Sequence, residues 1–324
     1  MTNHAFYPPE YKCADDLMHA AIKGLLASQD RFTASKGSGR EILGANFRLT
    51  NPRARLSRSE MRGKVYSALG ELFWCLAGSD DLSFIVHYIK NYSEYSDDGK
   101  TIHGAYGPRL FGEGKQNQVN NVIELLRRKA ESRRAVIQIL SSADVLRDGK
   151  DIPCTCTLQI VLRSDRLSLI THMRSNDAYL GLPHDIFVFT MLQEMIARAL
   201  GVDIGFYQHM VGHLHLYDDN QDAAVAYLDE GFQSIEPMDS MPEEDPIALL
   251  PSLLEAEKAI RAAPKSPTPL FSAYWEDILR LLRIHSESHY KFEGHRERID
   301  ELKAKMNSSV YNVYFAAQRE GSAP

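Results

Sequence analysis

Cysteine is scarce in this 324-residue chain. The four present, Cys13, Cys75, Cys154 and Cys156, are too few and too scattered for a disulfide framework, so a reducing, cytoplasmic setting is expected. No apolar run approaches the ~20 residues of a membrane span. The opening stretch "MTNHAFYPPEYKCADD" has no apolar core behind a basic start, so no secretory signal is expected. Basic residues do not predominate either. With 37 Lys and Arg against 43 Asp and Glu, the net charge is −6, which argues against a general nucleic-acid binder but leaves room for a local basic pocket. Internal repeats and long low-complexity tracts are also missing. What remains is a chain 44% hydrophobic and 25% charged, enough to bury a substantial core as one large domain or two ordinary ones.

Apolar spacing predicts helices in "YKCADDLMHAAIKGLLAS", "SRSEMRGKVYSALGELFWCLAG" and "QVNNVIELLRRKA", the second opened by capping-type residues and closed by Gly78. Short alternating runs predict strands at 134–141, 154–163 and 166–173, with "RSDR" as the turn between the last two. Joined this tightly, they require a sheet that is at least partly antiparallel. "DIFVFTMLQEMIARAL" is apolar almost all round, so it belongs near the centre of the fold and stops at Gly201. "GFYQHMVGHLHLY" reads as a further strand, followed by an acidic helix. Residues 235 to 252, with four prolines and a cluster of acids, read as a linker before a helical tail. The fold class is mixed α/β.

Four groups of residues carry possible chemistry. Cys154 and Cys156 would share a face of a strand, as would His213, His215 and Tyr217, and together they could hold a tetrahedral zinc. The spacing suits unrelated strand residues better. A nucleophilic thiol needs cations nearby to lower its pKa, and Arg133, Arg134 and Arg174 stand at strand ends. "LLRRKAESRRAV" is either a solvated helix end or an anion site, since paired arginines bind phosphate through planar, bidentate hydrogen bonds. Glu71, inside the apolar "ALGELFWCLAG", is either at the edge of a buried face or buried on purpose, where a raised pKa suits it to proton transfer.

These fragments fall in one order. "RSNDAYLGLPHDI" resembles the R-S-x-D-x-x-L-G-x-P-x-N-I signature of the thymidylate synthase family, which includes a pyrimidine hydroxymethylase branch. "PCTCTLQ" is similar to its P-C-x-x-x-x-Q motif, "GHLHLY" to G-D-x-H-x-Y, and "GELFWCLAG" to H-E-L-L-W-F-L-x-G. "SRRAV" resembles the twin-arginine strand start and "GAYG" the P-V-Y-G motif. The resemblance covers roughly residues 12 to 235 and fades over the remainder. It implies a single catalytic domain over 1–324, with a core of about 12–235, a mixed, largely antiparallel sheet covered by helices, and a divergent helical C-terminal region.

The resemblance also implies roles. Cys154 would be the nucleophile that adds to C6 of a pyrimidine nucleotide, making C5 able to attack the one-carbon unit of 5,10-methylenetetrahydrofolate. Glu71 and Tyr106 would organise proton transfers. Arg174 and Ser175 would bind the phosphate, joined by Arg133 and Arg134 from the other subunit of a homodimer. Lys36, in "SKGSG", stands near where the family has a further phosphate arginine, although the pattern departs there. His215 and Tyr217 would bind the ribose hydroxyl, with Gln159 also on the nucleotide side. Asp177, Tyr92 and Leu180 would face the folate. No metal is implied.

Two departures bear on specificity. Where the family reads uracil with asparagine, this chain has Asp185. Cytosine reverses uracil's donor–acceptor pattern, and a carboxyl fits the reversed pattern, so the expected substrate is CMP or dCMP. The loop "NYSEYSDDGKTIHGAYG" lacks the family's tryptophan, with Tyr92 or Tyr95 in its place, and "FAAQREGSAP" lacks the apolar C-terminal residues that close over the folate. Both changes favour water over hydride in the last step. The expectation is therefore a cytidylate 5-hydroxymethylase. The alternatives are thymidylate synthase-type methylation of dUMP and a catalytically silent nucleotide-binding homologue.

Overall fold

The computed structural model describes residues 7–34, 36–59 and 65–316. Seven strands, β1 (Glu10–Tyr11), β2 (Arg31–Ala34), β3 (Gly37–Leu49), β4 (Val136–Gln138), β5 (Thr155–Arg163), β6 (Arg166–Asp177) and β7 (Asp203–Tyr217), build one sheet. Its order is β1-β3-β7-β6-β5-β4, with β2 paired to β3 off that path. The pairs β2–β3, β3–β7, β4–β5 and β5–β6 are antiparallel, and β1–β3 and β6–β7 are parallel. Ser164 and Asp165, both with positive φ (47° and 56°), turn β5 into β6. The strand expected at 134–141 is shorter, because Ile139 and Leu140 both turn their N–H groups to the Cys156 carbonyl.

The helices among the described residues are α1 (Ala14–Ala27), α2 (Val65–Leu76), α3 (Leu82–Tyr88), α4 (Gly107–Leu110), α5 (Gln118–Arg128), α6 (Leu182–Ala199), α7 (Gln221–Asp229), α8 (Pro246–Ala262), α9 (Ala273–Tyr290), α10 (His295–Ala304) and α11 (Val313–Ala316). The capping stretch expected at the start of α2 includes residues 60–64, which lie outside the described residues. Helix α6 is the crossover that the parallel β6–β7 pair requires. It is buried nearly all round, with Phe187, Phe189, Met191 and Met195 against the sheet and neighbouring helices. Glu194, fully buried on this helix, is held by Arg53 (2.7 Å) and Arg55, pairing without which burial of the charge would be strongly unfavourable. No helix among the described residues is long and apolar enough to cross a membrane.

The stretch read as a linker is not one. Its second half is the start of α8, with Pro246 in the first turn, where a missing N–H costs nothing, and Pro251 within the helix. Its first half is irregular yet packed: Met238 and Met241 are buried, and their N–H groups bond the Arg53 carbonyl and Glu194 Oε1. Composition shows the prolines and acids but not the two methionines that anchor them. The helical tail docks on the core through α8 and α9. The Tyr88 hydroxyl of α3 donates a hydrogen bond to Glu257 of α8 (2.7 Å), and the Tyr314 hydroxyl donates one to the Ser57 carbonyl (2.6 Å).

A bend crosses the sheet. In register, Gly44 of β3, Gly212 of β7 and Arg174 of β6 form one row, which meets the β-bulge between Thr155 and Thr157 of β5. Gly44 has φ +71°, which favours glycine. The bend reverses which side chains face the helices: Tyr207, His209 and Val211 are buried before it, Leu214 and Leu216 after it. It thereby turns His213, His215 and Tyr217 to the other face.

Candidate active site

The end of the sheet beyond the bend collects most of the chemistry-bearing residues. Cys154 stands just before β5, its carbonyl accepting the Arg174 N–H at 2.8 Å. The Arg174 guanidinium bonds the carbonyls of Ile152 and Pro153 (2.9 and 3.0 Å) and lies 3.9 Å from Cys154 Sγ. Burial pushes the Cys154 thiol up to about 11. Arg174 opposes that shift, while the Asp185 and Asp151 charges add to it. In its resting state this is a protonated thiol with two cations, Arg174 and then Lys36, in place to favour the thiolate.

Glu71, on α2, accepts the Tyr92 hydroxyl at 2.8 Å. Burial raises its pKa to about 7, the Tyr92 hydrogen bond pulls it back, and Asp151 pushes it further up. Tyr92 stands edge-on to Trp74 (5.6 Å between centroids) and Tyr95 (5.8 Å), and Lys36 Nζ lies 4.1 Å over the Tyr95 ring. Tyr106 stacks on Phe189 of α6 and accepts a hydrogen bond from Thr155 Oγ1 at 3.0 Å. Burial holds its phenol well above the usual range.

Asp185, in the first turn of α6, accepts a hydrogen bond from Asn176 Nδ2 at 2.8 Å on Oδ2. Burial, then the Glu71 charge, hold its carboxyl well above the ordinary carboxylate range. Asp177 Oδ1 accepts the N–H groups of Tyr179 and Leu180, both at 2.8 Å, which fixes the turn into α6 and leaves Leu180 45% exposed. His215 is buried, and that burial pulls its pKa down while Asp177 opposes. Its ring stacks on His213 and meets Tyr217 edge-on, with the Phe32 edge against all three. Ser175 pairs with His213 across β6 and β7.

The possible zinc set does not assemble. The bulge breaks the alternation at Cys156, as the burial of both Thr155 and Leu158 shows, and His213 Nε2 is bonded to Glu41 at 2.6 Å. Among the described residues no group of three or more His, Cys, Asp or Glu is placed to hold a metal.

A family profile for thymidylate synthase matches residues 41–239. The chain belongs to the thymidylate synthase family. Curated relatives include deoxyuridylate hydroxymethyltransferases of Delftia phage PhiW-14, Pseudomonas phage M6 and Bacillus phage SP01, which are 32%, 33% and 29% identical over 200, 195 and 222 residues. The alignments cover 57%, 59% and 64% of this chain and 55%, 54% and 57% of the relatives. The chain thus spans little more than half the length of the relatives it matches.

Three of the residues singled out on thymidylate synthase motifs lie away from Cys154. Gln159 is five residues further along β5, in register with Val136 and Ile170. Arg133 and Arg134 are exposed ahead of β4, whose pairing puts Arg134 level with Val161, roughly 20 Å along the strand from Cys154. Two features escaped sequence reasoning. Asp151, in "KDIPC", comes so close to Gly104 that a Cβ there would lie 2.3 Å from its Oδ2, and burial raises its pKa beside Lys36. An acid three residues before the thiol was the available signal. The hydrogen-bond partners behind Asp185 left no signal at all, because they come from two strands brought together across the bend.

Proposed function

We propose that this chain is a cytidylate 5-hydroxymethylase, converting CMP or dCMP to the 5-hydroxymethyl nucleotide with 5,10-methylenetetrahydrofolate as co-substrate. The observation that carries the base assignment is the Asp185 carboxyl, held well above the ordinary carboxylate range by burial and then the Glu71 charge, and engaged through Oδ2 by Asn176. A neutral carboxyl offers cytosine a donor for N3 and an acceptor for the N4 amino group. With that proton on Oδ1, the oxygen not engaged by Asn176, uracil's N3–H and O4 would meet two mismatches, each costing ~1–3 kcal/mol when buried.

The residues present suit the folate. Trp74, Tyr92 and Tyr95 form an aromatic wall, Leu180 offers apolar surface, and Asp177 supplies a carboxylate for the pterin. When bound, the folate supplies the one-carbon unit. In this reading Arg174, Ser175 and Lys36 hold the phosphate, and His215 and Tyr217 the ribose. Arg174 then favours the Cys154 thiolate, which adds to C6, breaks the C5=C6 double bond and makes C5 nucleophilic. Asp185 stabilises charge that develops on the ring. Once the C5 proton and the folate have left, C5 carries an exocyclic methylene; Glu71 as carboxylate takes a proton from the water that adds to it, and Tyr106 sits beside the reacting ring. Departure of the Cys154 thiolate from C6 then restores the C5=C6 double bond.

Arg133 and Arg134 fit the phosphate of a second subunit better than their own. The sheet face opposite the helices would be the interface. It carries Ile170, Phe206 and Met210, half-buried, and Asn46 Oδ1 and Arg48 Nε, buried without a hydrogen-bond partner among the described residues. The whole chain is one catalytic unit in this reading, since α8 and α9 pack on α2 and α6.

The names of the three phage relatives favour a second reading, a deoxyuridylate hydroxymethyltransferase. One experiment separates the two. The purified protein is incubated with CMP, dCMP, UMP or dUMP plus the folate, and products are identified by mass. Hydroxymethyl products from a cytidylate support the proposal; hydroxymethyl product from dUMP alone, or a methyl product, overturns it.

A further inference from the structure

Behind Asp185 runs a chain of three hydrogen bonds. Tyr207 Oη lies 2.7 Å from His209 Nδ1, His209 Nε2 lies 2.9 Å from Asn176 Oδ1, and Asn176 Nδ2 lies 2.8 Å from Asp185 Oδ2. Tyr207 and His209 are fully buried and Asn176 is 3% exposed, so water cannot substitute for any member. We propose that Tyr207, His209 and Asn176 are positioning residues that fix which oxygen of Asp185 carries its proton, and so set base selectivity without touching the base. The inference rests on the cytidylate reading above.

The direction of the chain follows from donor counting. A buried phenol must give its one proton to an acceptor, and His209 Nδ1 lies 2.7 Å away to take it. The Thr171 hydroxyl beside the phenol opposes the rise that burial gives its pKa, and so acts as a donor to it. Burial holds His209 neutral, its pKa pulled down to about 3, so an accepting Nδ1 leaves the ring proton on Nε2. Nε2–H donates to the Asn176 carbonyl oxygen, which turns the amide nitrogen toward Asp185. Asp185 Oδ2 is thereby held as an acceptor, and the proton of the neutral carboxyl is confined to Oδ1. Oδ1–H can donate to N3 of cytosine while the second lone pair of Oδ2 accepts from N4. Without the Tyr207 proton the chain could reverse: His209 would carry its proton on Nδ1, Asn176 would flip, and Asp185 would have to donate from Oδ2. Oδ1 would then face the base as an acceptor, the match for N3–H of uracil.

Tyr207→Phe removes only the proton that sets the direction, and Asn176→Leu removes the last donor. The measurement is kcat/KM for CMP, dCMP, UMP and dUMP in wild-type and both variants, with circular dichroism as a check on folding. Tyr207→Phe should lower the cytosine-to-uracil ratio by about tenfold, the scale of one mismatched buried hydrogen bond, with uracil nucleotides losing little or gaining. A merely structural role would lower all four values together. Wild-type cytosine preference with an unchanged ratio in Tyr207→Phe, or in a folded Asn176→Leu, would overturn this inference alone. A wild-type preference for uracil nucleotides would overturn both the inference and the cytidylate reading.

Discussion

Tyr92 donates its hydroxyl hydrogen bond to Glu71 Oε1 at 2.8 Å, on the loop where the family keeps a tryptophan. Burial raises Glu71 to about 7, and this bond is the one interaction that opposes the rise. If Glu71 accepts the proton of water, kcat/KM should increase with pH through a limb near 7. Tyr92→Phe should move that limb to higher pH. A limb that stays in place would mean that Tyr92 does not tune Glu71.

The same carboxyl makes stability depend on pH. Between 4.5, its ordinary value, and about 7, folded Glu71 holds a proton that the unfolded chain has lost. The folded state binds more protons there, so stability falls as pH rises through that window. Glu71→Gln should remove this slope and be more stable than wild type above pH 7, by up to about 3 kcal/mol. Urea denaturation at pH 5 and pH 8 checks it. An equal difference at both pH values would show that Glu71 is not desolvated.

Cys154 has two cations in its favour, Arg174 ahead of Lys36, and two carboxyls against it. Arg174→Gln should therefore slow alkylation of Cys154 at pH 8, and Asp151→Asn should speed it, with the site followed by peptide mass mapping. The paired variants guard against a general loosening of the loop, which would speed both.

Arg134 and Cys154 lie too far apart along β4 and β5 to serve one site within one chain. Cys154→Ser and Arg134→Ala should each be nearly inactive. Mixed under subunit exchange, they should recover some activity, because one of the two sites in a heterodimer is intact. A fully active monomer by sedimentation would contradict the shared-site arrangement.

Much of the fold was legible because it rests on local pattern: the β5–β6 hairpin, the all-round apolar α6 and the helices of the tail follow from period and turn residues. Asp185 and Glu71 stood out as carboxyls in apolar or motif surroundings. The bend was not legible, because Gly44, Gly212 and the bulge after Thr155 are far apart in sequence and align only through strand register. Everything that depends on the bend was hidden with it, including the contact of His209 with Asn176. The supposed linker failed for a different reason: two buried methionines outweigh four prolines and a run of acids.

Whether Asp185 reads the base is the claim on which the account turns, and Asp185→Asn tests it by exchanging a carboxyl for an amide of nearly the same shape. The decisive measurement is kcat/KM for cytosine and uracil nucleotides in wild type and this variant. Wild type should prefer CMP or dCMP, and the variant should shift toward UMP or dUMP, because an amide offers the donor and acceptor that O4 and N3–H require. Sites built on buried hydrogen bonds discriminate by up to ~10⁴-fold, so the shift should be large. A wild-type preference for dUMP, or an unchanged preference in Asp185→Asn, would contradict the account.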